Sequence, residues 1–429
     1  MSKDRLRVLF CDHLNVARGK YLPAWKIGDG ATRFCRGTFG VTHDMGLIPA
    51  PGAMMLEGLP DMEVIYRAEE IRGGWENATR MVVGDLHASD GTPLPMCGRG
   101  ALKRAIADWH ALGYEAMVGI ELEAFAFQIE PDGTLKPYDT PGAAVYSTGV
   151  FADPRGFTDA IWNTAEAAGF RIDSMNTEFD SPQYEFTLTY DTALKAVDDI
   201  FLFRLMAREV AFRHGIVLTF LPKPIAAKGG SGVHVNFSLR DGAGGNAIVG
   251  GTADPAKLNA LTRGCIAGLL HHHRGLAGLV APCANSYDRL KPASLSGYWC
   301  NWGVDHRGVT TRISAETGAA ARLEHRMGDG AANPYTLTAA VLQAARLGVV
   351  NNYALPPAET GDCFETMDAT VGVPDDLGAA LEALEADTAL VEAVGELLVA
   401  NHAAVKREEI ARTSALAPEA VPGYYIRHV

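Results

Sequence analysis

The stretch GIELEAFAF, residues 119–127, constrains the fold most, because it places two glutamates two positions apart within an apolar run. Alternating polar and apolar residues predict a β-strand, in which residues i and i+2 point to the same face. Glu121 and Glu123 are therefore expected side by side in buried surroundings. Two unpaired carboxylates there would cost several kcal/mol, so a positive group or ion is expected between them.

Three later stretches alternate polar and apolar residues in the same way. Any one of them alone could be a half-exposed sheet face, but four strands that each turn polar groups to one face predict a strand-lined, funnel-shaped site. Carboxylates with a single imidazole favour Mg²⁺ or Mn²⁺ over zinc. The polar residues are Glu178 and Glu185 in NTEFDSPQYEFTL, His234, Asn236 and Ser238 in KGGSGVHVNFSL, and Arg322, Glu324 and Arg326 in RLEHRM.

The order of the predicted elements indicates an α+β protein. The first hundred residues contain strand-like segments between Gly/Pro turns, of which RLRVLFCD, DMEVIYRA and RMVVGDLHA are the clearest. Strands alternate with long helices after that, so we predict one domain over 1–100 and a second over 101–429. The run HHH at 271–273 is expected at the surface. Helices are expected at 98–113, 191–215, 254–276 and 333–350, and in the tail from residue 375.

Composition argues against several classes of protein. The chain has 429 residues, 48% of them hydrophobic, which is enough for a large core. It has no long apolar run and no secretory signal, so a cytoplasmic protein is expected. The net charge of −13 argues against nucleic acid or an anionic membrane as the main partner. The seven cysteines include no C-x-x-C pair, which predicts reduced thiols rather than disulfides or a thiolate zinc site.

The polar motifs follow one another in an order that resembles the glutamine synthetase family. The resemblance implies a small N-terminal β-grasp domain and a larger catalytic domain, whose curved antiparallel sheet is flanked by helices. It also implies a homo-oligomer, commonly a dodecamer of two hexameric rings, with each active site between neighbouring subunits. The motifs are E-x-E at 121–123, E-x-x-x-x-Q-x-E at 178–185, G-S-G-x-H at 230–234, N-S-Y-x-R-L at 285–290, R-x-E-x-R at 322–326 and N-P-Y at 333–335.

The resemblance further implies ATP as a co-substrate and two or more Mg²⁺ or Mn²⁺ ions in each site. Six positions match the family's metal ligands, and all six carry a carboxylate or an imidazole. The matches are Glu123, Glu178 and Glu185 for the ion nearer the acid substrate, and Glu121, His234 and Glu324 for the ion that holds the ATP phosphates.

The remaining family matches bind anionic substrates. Arg289 matches the clamp for the α-carboxylate of the acid substrate, a bidentate task that suits a guanidinium group. The resemblance implies catalytic roles for Arg307, Arg326 and Glu324. The further matches are Gly230 in a glycine-rich stretch that lets the backbone approach the acid substrate, Arg307 for the phosphoryl group in transfer, Arg312, Arg322, Ser238 and Asn236 for ATP, and Arg326 facing the reacting carboxylate.

The sequence departs from the family where the amine would bind. The flap glutamate that helps to bind ammonium is replaced by Leu295, the asparagine that contacts the acid substrate by Gly229, and CRGTFGVTHDMG lacks the acid that a neighbouring subunit would supply. Together with Trp299 and Trp302 near the flap, these losses predict an apolar pocket for an organic amine. Asp305 is a candidate to deprotonate that amine, by its proximity in the sequence only.

The sequence therefore predicts an ATP-dependent carboxylate–amine ligase that γ-glutamylates an alkylamine, polyamine or similar amine through an acyl phosphate. Three alternatives stay open. They are glutamine synthesis from ammonia with displaced acids, ligation of an acid other than glutamate, and a non-catalytic oligomeric homologue. The retention of all six metal positions argues against the last alternative.

Overall fold

Two small N-terminal sheets and one large sheet with helices around it make up the chain. A computed structural model describes residues 4–429. The strands are β1 (Arg5–Cys11), β2 (Ala17–Pro23), β3 (Gly30–Cys35), β4 (Asp61–Tyr66), β5 (Arg72–Gly73), β6 (Thr79–Val83), β7 (Asp85–Ala88), β8 (Glu115–Ile129), β9 (Leu135–Pro137), β10 (Ile172–Thr177), β11 (Gln183–Leu188), β12 (Asp191–Thr192), β13 (Ile216–Thr219), β14 (Val233–Arg240), β15 (Trp302–Val304), β16 (Thr311–Ile313) and β17 (Leu323–His325).

Helices follow or interrupt these strands along the whole chain and form its last part. They are α1 (Gly98–Ala111), α2 (Phe157–Ala167), α3 (Ala193–Arg213), α4 (Ala260–His271), α5 (His273–Val280), α6 (Ser286–Arg289), α7 (Pro334–Val350), α8 (Leu377–Ala386), α9 (Thr388–Val394), α10 (Glu396–Thr413) and α11 (Val421–Tyr425). The predicted α+β class is confirmed.

The large sheet has the order β10-β11-β8-β14-β17-β16-β15, and β9, β12 and β13 also pair with β8. Its pairings are antiparallel, as predicted, except that β15 and β16 run parallel. Residues along β8 alternate between buried and partly exposed from Glu115 to Glu123. One face of β8 therefore packs on the core, and the other carries the two glutamates of the E-x-E motif.

The N-terminal strands form a four-stranded sheet of order β2-β1-β6-β5 and a three-stranded sheet of order β3-β4-β7. The segment RMVVGDLHA was predicted as one strand, but it forms β6 and β7, which belong to different sheets. A separate apolar core lies between these sheets, and Val405 of α10 contributes to it. The predicted division into 1–100 and 101–429 stays a prediction.

Two predicted helices begin or end differently in the structure. The helix predicted at 191–215 begins at Ala193, because Asp191 and Thr192 pair with β8 as a short strand. The helix predicted over 254–276 is two helices, α4 and α5, which meet at His272.

The prediction that all three histidines at 271–273 lie at the surface was wrong for two of them. His272 is buried against Asp387, with Nδ1 and a carboxylate oxygen 2.7 Å apart. The Nε2 atom of buried His273 lies 3.1 Å from the carbonyl oxygen of Tyr298.

Within residues 4–429, no single helix has the length and apolarity needed to cross a membrane. The helices α9 and α10 have the necessary length and apolarity only when they are counted together, and the chain bends by 105° between them.

Candidate active site

The register of the strands brings the predicted polar side chains to one face of the large sheet. Glu121 of β8 lies opposite His234 of β14. On the other side of β8, Glu123 lies opposite Glu185 of β11. The two glutamates of the E-x-E motif therefore face different strands, although His234 approaches both, since its Nε2 atom lies 3.6 Å from Glu123.

The imidazole cluster consists of Glu121, His234 and Glu324, whose ligand atoms all lie within 4.8 Å of one another. His234 Nδ1 lies 2.9 Å from a carboxylate oxygen of Glu121 and 3.4 Å from one of Glu324. Asn236 Nδ2 donates a hydrogen bond of 3.0 Å to the other oxygen of Glu121. Burial alone would raise the pKa of Glu121, but the hydrogen bonds and charge of these neighbours hold it well below its usual range.

Two guanidinium groups compensate the charge of buried Glu324. Arg326 Nη1 donates a hydrogen bond of 2.6 Å to this carboxylate, and Arg312 Nε lies 3.1 Å from its other oxygen. Arg312 comes this close because β16 pairs with β17 and places it opposite Glu324. Burial would lower the pKa of Arg326, but the neighbouring carboxylate raises it above its ordinary value.

The carboxylate cluster consists of Glu123, Glu178 and Glu185. Among residues 4–429, these three do not approach one another as closely as the imidazole cluster does. Burial, followed by the charges of Glu121, Glu123 and Glu178, raises the pKa of Glu185 to about 9. Burial and the charge of Glu123 likewise raise the pKa of Glu178. The charge of Glu123 therefore disfavours ionisation of both, and a hydrogen bond between the two side chains favours a proton on Glu185 that is donated to Glu178.

Both clusters have the donor atoms of a divalent cation site. Burial and the neighbouring carboxylates raise the pKa values of Glu178 and Glu185, and a bound cation would reverse that effect. Carboxylate oxygens with one imidazole suit Mg²⁺ or Mn²⁺ better than zinc. The imidazole cluster thus fits one divalent ion, and the carboxylate cluster offers oxygen ligands of the kind that a second ion would need.

The glycine-rich segment KGGSGVH runs between the carboxylate cluster and Arg289. The amide N–H of Gly232 donates a hydrogen bond of 2.8 Å to Glu123. Gln183 Nε2 donates to Glu123 at 3.2 Å and to the carbonyl oxygen of Gly230 at 2.9 Å. A Cβ atom on Gly230 would lie 2.6 Å from Arg289 Cγ, and one on Gly232 would lie 2.5 Å from Arg289 Nη2. The close approach of Arg289 therefore requires glycine at both positions.

Arg289 itself is buried and forms no ion pair with the described residues, 4–429. Its Nη1 and Nη2 atoms donate to the carbonyl oxygens of Met327 at 2.8 Å and Arg326 at 3.1 Å. Burial lowers the pKa of Arg289 from its ordinary value. Since a guanidinium group has five N–H donors, three remain for an anionic ligand.

A cavity of about 340 Å³ opens beside the imidazole cluster. Glu121, Asn236, Ser238 and Arg322 line it, so three of the four residues predicted to bind ATP share one wall. Arg322 Nε donates a hydrogen bond of 3.2 Å to Asn236 Oδ1. The fourth predicted residue, Arg312, contacts the imidazole cluster instead.

Three predicted residues lie on loops around the clusters. Arg307 is exposed between β15 and β16, and no hydrogen bond or ion pair joins it to another residue of the described chain. Leu295 is half-buried with a left-handed φ of 55°, and its carbonyl oxygen accepts a hydrogen bond of 3.3 Å from Arg326 Nη2. The Asp305 side chain is 64% exposed, and its carboxylate lies 3.8 Å from Arg312 Nη2.

The two tryptophans predicted near the flap differ in their surroundings. Trp302 is completely buried, and its indole N–H donates to the carbonyl oxygen of Pro356 at 2.9 Å. It therefore packs in the core and offers no surface to a substrate, so its predicted place in the amine pocket was wrong. Trp299 is half-buried, and its ring packs edge-on against Tyr298.

Sequence reasoning did not assign roles to two polar residues at the site. Gln183 contacts Glu123 and could have been found, because it lies two residues before Glu185 on the same face of β11. Asp180 accepts a hydrogen bond from the amide N–H of Gly229. No sequence pattern points to this contact, because it joins two loops 49 residues apart.

Comparisons with known proteins agree with this geometry. The family model described as "Glutamine synthetase, catalytic domain" matches residues 95–420. Glutamine synthetase from Pyrococcus furiosus is 29% identical over 91% of this chain and 87% of its own length. Glutamate–isopropylamine ligase from a Pseudomonas species is 31% identical over 68% of this chain and 65% of its own length. A solved structure described as a GmaS/ADP complex superimposes with a TM-score of 0.82 at 28% identity, over 97% of this chain and 95% of that one.

Proposed function

Since the chain belongs to the glutamine synthetase family and is an ATP-dependent ligase that forms C–N bonds, we propose that it joins the γ-carboxylate of glutamate to an organic amine. An alkylamine or a polyamine is the proposed amine class. The observation that carries this proposal is that an aliphatic residue, Leu295, stands where the family has an acid that binds ammonium, on a loop whose backbone carbonyl at 295 accepts a hydrogen bond from Arg326.

The reaction requires activation of the carboxylate, whose carbon is a poor electrophile and whose oxygen is a poor leaving group. Transfer of the γ-phosphoryl group of ATP to the carboxylate gives an acyl phosphate and ADP. Attack of the amine then forms the amide and releases phosphate and a proton. Because phosphoryl transfer joins two anions, it needs positive charge on both.

The two clusters would hold the divalent cations, which would neutralise the phosphates and the reacting carboxylate when bound. We assign the imidazole cluster to the ion at the ATP phosphates, because it borders the 340 Å³ cavity. The carboxylate cluster would hold the ion nearer the acid substrate. In the cavity, Ser238, Asn236 and Arg322 would contact the nucleotide.

The arginines would complete the positive side of the site. Arg289 has free N–H donors for the α-carboxylate of glutamate, and Gly230 leaves room for its side chain. Arg326 would face the reacting carboxylate, and Arg312 would contact ATP phosphate beside Glu324. Exposed Arg307 would have to move with its loop to reach a phosphoryl group in transfer.

Removal of the amine proton needs a base other than residue 295. Asp305 is our candidate, because its exposed carboxylate lies 3.8 Å from Arg312, which in turn contacts Glu324. This chain of contacts brings Asp305 close to the imidazole cluster.

Glutamine synthesis from ammonia is the second candidate, and several relatives with that name favour it. An acid other than glutamate is the third. A non-catalytic homologue is disfavoured by the six cluster residues. A cytoplasmic location and assembly into two hexameric rings stay predictions. The strongly exposed Trp25 and Leu56 are apolar surface of the kind that assembly would cover.

We predict that Leu295→Glu shifts the preference of the enzyme toward ammonium. Each buried methylene contributes about 0.8 kcal/mol, so a two- to four-carbon amine should gain roughly tenfold to a hundredfold or more over ammonia in the wild type. A glutamate at 295 would remove this gain and bind ammonium by charge. Phosphate release should be measured with glutamate and a panel of amines, and kcat/KM compared with that for ammonium.

Ala293→Glu is the matched control, because it adds the same charge on the exposed part of the same loop. It should leave the order of the amines unchanged. If ammonium is the best substrate of the wild type in a broad panel, the enzyme is a glutamine synthetase with rearranged acids.

A further inference from the structure

We propose that His306 and Glu359 are positioning residues, which hold the loop that bears Arg307 in place for phosphoryl transfer. This role rests on the ligase function proposed above, in which Arg307 contacts the phosphoryl group in transfer. The loop consists of residues 305–310, joins β15 to β16, and is named the arginine loop here. A second segment, residues 359–369, contacts it and is named the strap.

Both ends of the arginine loop lie beside the imidazole cluster. At its beginning, the Asp305 carboxylate lies 3.8 Å from Arg312, which reaches Glu324 at 3.1 Å. At its end, the carbonyl oxygen of Thr310 accepts a hydrogen bond of 2.9 Å from the amide N–H of Arg326. The position of the loop therefore decides how far its exposed arginine lies from the cluster.

The first contact between the two segments is made by His306, a half-buried residue between exposed Asp305 and exposed Arg307. The amide N–H of Gly308 donates a hydrogen bond of 3.1 Å to His306 Nδ1, so the proton of the neutral imidazole is on Nε2. Nε2 then donates a hydrogen bond of 2.9 Å to the carbonyl oxygen of Gly361 in the strap. The imidazole thus joins the middle of the arginine loop to the strap.

The second contact depends on the buried carboxylate of Glu359. One of its oxygens accepts hydrogen bonds from Asn301 Nδ2 at 2.9 Å and from the amide of Ala369 at 3.2 Å. The other accepts from the amides of Gly361 at 3.0 Å and Asp368 at 2.7 Å. Burial would raise the pKa of Glu359, but these hydrogen bonds lower it below its ordinary value. The ionised carboxylate therefore joins both ends of the strap to Asn301.

Asn301 extends this contact to the end of the arginine loop. Its Oδ1 atom accepts a hydrogen bond of 3.1 Å from the amide N–H of Thr310. The amide N–H of Glu359 also donates a hydrogen bond of 2.9 Å to the carbonyl oxygen of Trp302, just before the loop. The strap thus holds the loop at its middle and at its base. A movement that brings the arginine to a phosphoryl group would carry the strap with it.

The backbones of the two segments also pack closely. A Cβ atom on Gly308 would lie 3.1 Å from the Cα atom of Cys363 in the strap and 3.0 Å from His306 Cε1. Contacts this short leave little room for a methyl group between the segments. The arginine loop therefore has little freedom to shift while the strap is in place.

A double-substitution cycle with Arg307→Ala tests the proposal in the full chain, with ATP, Mg²⁺, glutamate and hydroxylamine as the amine. His306→Ala should lower kcat for hydroxamate formation about tenfold to a hundredfold, because a catalytic group displaced by about 1 Å can lose that much rate. The KM values for ATP and glutamate should stay within about twofold. With Arg307→Ala already present, His306→Ala should lower kcat less than about twofold, because it acts through the arginine.

Three further variants separate positioning from a general loss of structure. His306→Gln keeps an N–H donor near the position of Nε2 and should recover part of the lost turnover. Glu359→Gln should lower kcat in the same way as His306→Ala but less, since its amide oxygen still accepts hydrogen bonds. The matched control is Glu365→Gln, because Glu365 is an exposed acid of the same strap. It should leave kcat unchanged.

Amide hydrogen exchange of the wild type and His306→Ala measures the contact between the segments without turnover. Exchange in the arginine loop and in the strap should be faster in the variant. Unchanged exchange, an unchanged kcat, or an equal loss of kcat with and without Arg307 would overturn the proposal. An unchanged kcat of Arg307→Ala would overturn it too. If His306→Ala does not fold, Glu359→Gln decides in the same cycle.

This proposal and the proposed function can fail separately. Wild type that forms hydroxamate but prefers ammonium to every organic amine would contradict the proposed amine and leave the cycle unaffected. Wild type that forms no hydroxamate would contradict glutamate as the acid. The exchange rates would then decide whether the strap holds the arginine loop.

Discussion

The imidazole cluster and the carboxylate cluster lie on the same face of the same sheet, yet their charges are balanced in opposite ways. Glu121 and Glu324 contact an imidazole and two guanidinium groups, and the pKa of Glu121 is lowered. Glu178 and Glu185 face other carboxylates, and both pKa values are raised. The chain thus supplies close counter-charges to the acids of one cluster, whereas the basic neighbour of the other is His234, whose Nε2 atom lies 3.6 Å from Glu123.

This difference predicts distinct energetic roles. Residues of the imidazole cluster should stabilise the fold even without metal, because each acid has a positive partner. Glu178 and Glu185 of the carboxylate cluster should destabilise the metal-free fold and stabilise it only when a cation is bound. Substitutions in the two clusters should therefore change stability with opposite signs.

The largest stability effect is expected from Glu324→Gln. Loss of this carboxylate leaves the buried guanidinium of Arg326 without its closest counter-charge, which should lower the free energy of unfolding by about 3 kcal/mol. Urea unfolding of the metal-free variant and of the metal-free wild type measures this difference in the free energy of unfolding. Glu316→Gln is the control, because Glu316 pairs with Arg322 at the surface. A variant as stable as the wild type would remove the contrast between the clusters.

Glu123→Ala should abolish activity while the protein stays folded. Glu123 contributes to the carboxylate cluster, and loss of one donor to a cation should reduce turnover by at least about a hundredfold. Phosphate release and a thermal melt check the two halves of this prediction. Glu115→Ala is the matched control on the same strand, since Glu115 pairs with Arg240 away from the clusters. Full turnover of Glu123→Ala, or full activity after exhaustive chelation, would contradict the cation assignment.

The smallest effect concerns pH. The folded metal-free protein holds a proton on Glu185 that the unfolded chain releases near the ordinary pKa of 4.5, because the folded pKa is about 9. Its stability should therefore fall as the pH rises between these two values. Glu185→Gln should flatten this decline and be about 1 kcal/mol more stable than the wild type near pH 8.5.

Urea unfolding at about pH 6 and about pH 8.5, with and without Mn²⁺, measures this effect. Added Mn²⁺ should reduce the decline in the wild type, because a cation lowers the pKa of the carboxyls that surround it. A decline of the same size in Glu185→Gln would show that other groups cause it.

Much of the fold followed from local patterns in the sequence. Alternation along β8, β11 and β14 indicated the strands and their polar faces, and the helix predicted over 333–350 is α7. Patterns of this kind depend on neighbours within a few residues, so they are visible in one chain segment. The break at His272 and the split of β6 from β7 were missed, because packing against distant elements decides them.

The sequence by itself determined the family and the residue types that gather in the site, through the order and spacing of its motifs. Only the tertiary structure decided what each of these residues meets. Glu121 and Glu123 follow the same pattern, but β14 brings the imidazole of His234 to 2.9 Å from the first and only to 3.6 Å from the second, which β11 places opposite a carboxylate. The physical reason is that charge acts over a few ångströms, and strands far apart in the sequence set those distances.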